Sequence, residues 1–167
     1  MICEGMMFDW SGVFFQDVAK VPNELRTVGY ISFMACMTTG RMFADKLITY
    51  WGARKQLMLS GLLVSIGLII AVSLPSLIIS AIGFMLVGFG VSSVIPTIYG
   101  SVGKSAAPGQ ASIALASVSS VGFFGFLIGP PIIGFLSQAL GLRWAFLSVA
   151  LLGLVTFLQA NRLKKYL

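Results

Sequence analysis

The sequence predicts an all-α polytopic membrane protein, built from apolar helices that cross a bilayer several times. Three observations predict it. Of the 167 residues, 57% are hydrophobic and only 10% charged, too few charges for the water-facing surface of a soluble domain of that length. Two stretches, 56–103 and 105–142, contain no Asp, Glu, Lys or Arg. The apolar runs within them, such as 62–74 and 77–90, are continuous, without the apolar/polar alternation that lipid-facing β-strands need.

The elements follow in order. Roughly 20 helical residues cross the ~30 Å hydrocarbon core. Residues 1–16 are apolar but short for a crossing, so the chain reads as if it starts inside its first helix. Residues 26–48 form the next span. The uncharged run 56–103 is too long for one crossing and suits two; Leu74-Pro75-Ser76 divides it, because proline cannot continue a helix and restricts the residue before it. The expected spans are 56–74 and 77–100. Ala107-Pro108-Gly109 and Leu140-Gly141-Leu142 bracket a long span at 111–139, expected to tilt or to kink at Pro130-Pro131. The last span is 144–161.

The charges agree with alternate crossings. Lys46, Arg54 and Lys55, then Lys104, then Arg162, Lys164 and Lys165 fall on one side. The other side holds the uncharged Pro75 turn, Arg143 and a mixed loop with Asp17, Lys20, Glu24 and Arg26. Positive-inside bias then expects a cytoplasmic C-terminus. The net charge is +6, but the basic residues sit at the ends of apolar runs and form no nucleic-acid-binding face. The acids Glu4 and Asp9 argue against a signal peptide. Two isolated cysteines, Cys3 and Cys36, and no histidine leave no basis for a metal site, a cofactor or a His-dependent mechanism.

Some polar residues at membrane depth invite a functional reading. Glu4 and Asp9 lie five apart, so they point about 140° from each other on a helix and form no paired-carboxylate site. Carboxylates inside a membrane are costly and usually face a cavity. Asp9 shares a face with Gly5, Gly12 and Gln16; that face lines a polar path or packs closely on a neighbour, unless Asp9 simply sits at the outer interface, where water is available. Glu4 is a candidate for a substrate or proton role, since desolvation favours the neutral acid. Trp10 is a sugar-stacking platform or an interface aromatic. Ser92, Ser93, Ser119 and Ser120 either bond substrate hydroxyls or pack helices.

Two motifs complete the pattern. Gly40 to Lys55 reads GRMFADKLITYWGARK, with Gly40, Arg41, Asp45, Gly52, Arg54 and Lys55; an acid beside a basic turn can form a charge network or cap a neighbouring helix end. Gly122, Gly125 and Gly129 share one helix face, followed by Pro130, Pro131 and Gly134. Such a face suits close helix packing, and the prolines permit a hinge.

The first of these motifs resembles the loop signature between the eighth and ninth helices of major facilitator superfamily (MFS) transporters, with a departure: Ala53 precedes the two basic residues. GFFGFLIGPPIIG (122–134) resembles the family's eleventh helix. EGMMFDWSGVFF (4–15) and VGFGVSSVIPTIYG (87–100) resemble the seventh and tenth helices of its sugar-permease-like branch, which includes fucose-permease relatives. The resemblance implies a six-helix half-bundle, helices seven to twelve, with its first helix truncated and its first, second, fourth and fifth helices forming one cavity wall. It further implies alternating-access transport of a small solute such as a sugar, coupled to protons or another ion. The implied partners are the lipid bilayer, a missing N-terminal six-helix half or a second copy, and the substrate. The implied location is a bacterial inner membrane. The rival readings are a structural assembly subunit and a membrane enzyme; the absence of histidine and of a close acid pair weighs against the enzyme.

Overall fold

A computed structural model describes residues 1–162. Within them the regular structure is helical: α1 (Ile2–Asp17), a 3₁₀ turn (Asn23–Leu25), α2 (Val28–Ser73), α3 (Leu77–Ser92), α4 (Val94–Ser105), α5 (Ala111–Leu140) and α6 (Leu142–Arg162). Lys164 and Lys165 of the C-terminal basic cluster lie outside the described residues. Four helical stretches are long and apolar enough to cross a membrane, over residues 23–73, 77–105, 111–140 and 142–162.

The breaks have local causes. α2 is folded at Gly52, whose φ of 78° and ψ of 155° lie in a region essentially reserved for glycine. The expected spans, 26–48 and 56–74, leave a connection between them with a basic turn at 52–55; Gly52 alone is non-helical, and helix resumes at once on both sides. Gly141 repeats the device between α5 and α6, with φ 88° and ψ 155°. Pro75 ends α2, and Ser76 caps α3 by accepting from the Ile79 amide at 3.3 Å. The stretch expected as one helix over 77–100 is divided at Ser93. Pro96 explains the division: it has no N–H for the Ser92 carbonyl, and its ring crowds that carbonyl. By contrast, α5 continues through Pro130 and Pro131 without a break.

Contact registers give the directions. Along α3, Gly83 meets Gly67 and Ala71, while Gly90 meets Ser60 and Val64; α3 therefore runs antiparallel to 53–73. Gly88 meets Phe33 and Met37, and Ser92 meets Gly40, so α3 runs parallel to 28–51. The two arms of α2 are thus antiparallel, and α3 lies against both. Gly61 against Gly153 and Arg54 against Asn161 make α6 antiparallel to 53–73. Met1 against Gly122 and Trp10 against Gly134 make α1 parallel to α5. Six rods therefore alternate in direction. The Gly52 turn, the 106–110 loop and the end of α6 share one end of the bundle; Pro75 and Gly141 mark the other.

Glycines let the backbones touch. A Cβ at Gly67 would lie 2.5 Å from the Gly83 carbonyl oxygen, and one at Gly61 2.6 Å from that of Gly153. Interhelical hydrogen bonds add to this: Ser65 donates to the Ala150 carbonyl at 2.8 Å and Ser80 to that of Ala71 at 3.3 Å. Such bonds and close contacts replace the hydrophobic effect, which cannot drive association within lipid. The buried centre is aromatic. Phe14 and Phe146 have centroids 4.6 Å apart, and Phe84 stacks on Phe146 at 6.0 Å, joining α1, α3 and α6. Large apolar residues point outward elsewhere, among them Ile78, Val121 and Phe135, as a lipid-facing surface requires.

Gly83→Leu should therefore destabilise the bundle by about 1–3 kcal/mol through overpacking, read as an earlier unfolding midpoint in an SDS titration. A Cβ at Gly103 would meet nothing within 4 Å, so Gly103→Ala should leave the midpoint unchanged or raise it by up to ~1 kcal/mol.

Candidate functional site

α1 carries the polar groups that the sequence singles out, and its packing divides them. One face, with Met6, Met7, Phe14 and Phe15, is buried in the core. A second face meets the glycine stripe of α5: a Cβ at Gly122 would approach Met1, one at Gly125 or Gly129 would approach Ile2, and one at Gly134 would lie 3.1 Å from the Trp10 ring. Pro130 has no N–H for the Phe126 carbonyl, and that freed oxygen lies where a Cβ at Gly5 would be 2.6 Å away. Trp10 closes the contact, donating its indole N–H to the Pro130 carbonyl at 3.1 Å. The glycines and prolines of α5 thus form the seat of α1.

Glu4 is buried and forms an ion pair with Arg41, Oε1 to Nη2 at 2.8 Å. Its other oxygen, Oε2, has no partner. Arg41 also approaches the Met37 sulfur at 3.7 Å. The sequence motif groups Arg41 with Asp45, but Asp45 is exposed, and among the described residues Arg41–Glu4 is the only salt bridge. The pairing has a readable geometric reason. Glu4 lies as many residues before the end of α1 as Arg41 lies after the start of α2, so two antiparallel helices joined by a short connection bring them to one depth.

The rest of the loop motif divides into separate tasks. Gly40 packs against Ser92, and Gly52 makes the turn. Arg54 caps α6: its guanidinium donates to the Ala160 carbonyl at 3.3 Å, the Asn161 carbonyl at 3.2 Å and Asn161 Oδ1 at 2.5 Å. A cation on the last carbonyls of a helix is favoured by their partial negative charge. Lys55 is exposed.

The candidate serines are engaged within the bundle. Ser92 donates to the Phe89 carbonyl at 2.7 Å. Ser93, buried at the α3–α4 joint, accepts from Gln56 Nε2 at 2.7 Å and lies 3.0 Å from the Ser60 hydroxyl. Gln56 and Ser60 escaped the sequence reading because only the fold brings them to Ser93. Ser119 donates to the Leu115 carbonyl at 2.8 Å, so its contact with Tyr99 at 2.7 Å has the phenol as donor.

Asp9 is different. It is exposed and stands between two cavities. One, about 480 Å³, opens between α1 and α5 beside Trp10, Val13, Leu127, Pro130 and Gly134. The other, about 460 Å³, lies between α1 and the start of α2, lined by Phe8, Ser11, Gln16, Arg26 and Tyr30 as well as Asp9. Arg26, Tyr30 and Ser11 are not singled out by their sequence pattern; the antiparallel return of α2 brings the first two to α1.

Long apolar helices that alternate in direction define a multi-pass α-helical membrane protein. The chain belongs to the Major Facilitator Superfamily, whose family model matches residues 6–163. It is 39% identical over 160 residues to an uncharacterised MFS-type transporter of Yersinia pestis, covering 96% of this chain and 41% of that protein. It is 33% identical over 155 residues to the membrane protein MosC of Rhizobium meliloti, covering 93% and 38%. An uncharacterised transporter of Sinorhizobium fredii is 31% identical over 162 residues, covering 97% and 43%. The chain thus spans about two fifths of the length of these relatives.

Removing Arg41 strands a buried carboxylate. Arg41→Ala should cost on the order of 3 kcal/mol in the same SDS titration. The double variant Glu4→Gln, Arg41→Gln should lose clearly less than the sum of its single substitutions, the signature of direct coupling.

Proposed function

We propose that this chain forms one half of an alternating-access secondary transporter that moves a small polar solute, a sugar or related metabolite among the candidates, coupled to protons or another ion. The observation that carries the proposal is Asp9: a carboxylate within an apolar helix, turned from the packed core toward two cavities. An intramembrane charge of this kind marks a solute or ion path. Family membership and the relatives' names, transporter in two of three, point the same way and away from an enzyme. In such proteins two halves rock about a site near the midplane; the opposite wall here is supplied by an N-terminal six-helix half or a second copy. Glu4, with one oxygen unbonded beside Arg41, is the second carboxylate of α1 assigned to the solute or ion path. Lys46, Arg54, Lys55, Lys104 and Arg162 favour a cytoplasmic Gly52 end, and with it a cytoplasmic C-terminus, in a bacterial inner membrane.

The test is uptake into proteoliposomes of labelled sugars and small polar metabolites, with and without a pH gradient. The chain reconstituted with a complementary half should support uptake, the isolated monomer should not, and Asp9→Asn should lower uptake on the order of tenfold. Full uptake by the isolated monomer would contradict the half-transporter reading. Unchanged uptake after Glu4→Gln, Asp9→Asn and Asp45→Asn would favour a structural subunit.

A further inference from the structure

We infer that the cavity between α1 and the start of α2 takes a small zwitterion, its cationic group on Asp9 and its anionic group on Arg26. The inference rests on reading this groove as a solute path and narrows the class of solute. Asp9 and Arg26 line one cavity of about 460 Å³, within the range of roughly 300–1,000 Å³ usual for small-molecule sites. They make no ion pair with each other or with any described residue. Glu24 and Asp17, in the same connection, are not among the residues that line the cavity. Asp9 reaches this space from α1 and Arg26 from the connection before α2, each without a counter-ion among the described residues. A ligand carrying both charges satisfies both at once, and the guanidinium fork suits a carboxylate in particular. A neutral sugar hydrogen-bonds to such groups but neutralises neither charge.

Ser11 supplies a second, independent observation. The residue is 1% exposed, its hydroxyl has no partner among the described residues, and it lines this same cavity. Other helical hydroxyls in this chain donate to the carbonyl four residues back, as Thr39, Ser117 and Ser120 do. Ser11 does not, so its buried hydroxyl keeps an unused donor and acceptor at the edge of this cavity. Buried hydroxyls left unbonded are costly, so an occupant that bonds Ser11 gains from it. Phe8 and Tyr30, with ring centroids 5.4 Å apart, form an aromatic wall of this cavity. The adjoining cavity of about 480 Å³ shares Asp9 and Val13 and gives room for an apolar substituent near the cationic end.

The experiment measures binding to the 167-residue chain in lipid nanodiscs. The probes are labelled glycine, alanine, serine, β-alanine, γ-aminobutyrate and glycine betaine, each compared with its amide, and the primary amines also with their N-acetyl derivatives; glucose serves as the neutral reference. At least one zwitterion should bind more tightly than glucose and lose on the order of tenfold when either charge is masked. Asp9→Asn should abolish the penalty for masking the amine and keep that for masking the carboxylate; Arg26→Gln should do the reverse. These ratios are taken within one variant, so they do not depend on yield. Equal affinity for zwitterion, amide and N-acetyl form, preference for glucose, or no zwitterion binding by the folded chain would each overturn the inference. Uptake of sugars without zwitterion binding would leave the transporter reading intact and remove this one; zwitterion binding without uptake alongside a complementary half would do the opposite.

Discussion

Two helix backbones meeting at glycine are the constraint on which the remaining architecture rests. Within lipid, apolar side chains gain little by leaving one apolar surface for another, so association depends on close contact and interhelical hydrogen bonds. Gly67 against Gly83 seats 53–73 on α3, and Gly61 against Gly153 seats it on α6. Ser65 and Ser80 then bond carbonyls across those seams. The scaffold so formed presents Phe84 and Phe146 to Phe14 and Phe15, and α1 is held by its aromatic end.

α1 and α5 use the same device for a different purpose. The prolines of α5 cost backbone hydrogen bonds, and Gly5, which has no Cβ, lets α1 come close to the freed Phe126 carbonyl. The result is a helix fixed on two faces whose remaining polar groups have two fates. Glu4 turns inward and is matched by Arg41. Asp9 turns to open space and has no ion-pair partner among the described residues. A fixed helix with one unmatched charge gives a groove with defined geometry, which a recognition site needs.

The all-α membrane fold was legible because charge-free apolar length has one physical reading, and Pro75 showed where the chain turns. The Ser93 break was missed although its cause, Pro96, was in view: a helix interrupted inside a crossing gives no change in hydropathy. The packing face of Gly122, Gly125 and Gly129 was legible from spacing alone, but not that α1 would fill it. Arg54 as a helix cap was among the possibilities the sequence raised; Arg41 as the partner of Glu4 was not, because the motif drew attention to the nearer Asp45. The serines were ambiguous for a physical reason. A small hydroxyl in a helix serves packing, backbone and solute equally well, and only a fold distinguishes Ser93, bonded to Gln56 and Ser60, from Ser11, bonded to nothing.

The central claim is that α1 buries one face and offers another to a water-accessible groove. Substituted-cysteine labelling tests it most directly, with Cys3 and Cys36 replaced by alanine and single cysteines placed along α1 and at position 30. In intact membranes a small, membrane-impermeant thiol reagent should label positions 9, 16 and 30 and leave positions 7, 14 and 15 unlabelled. Labelling at 7 and 14 that equals labelling at 9 and 16, or protection of 9 and 16, would contradict the account.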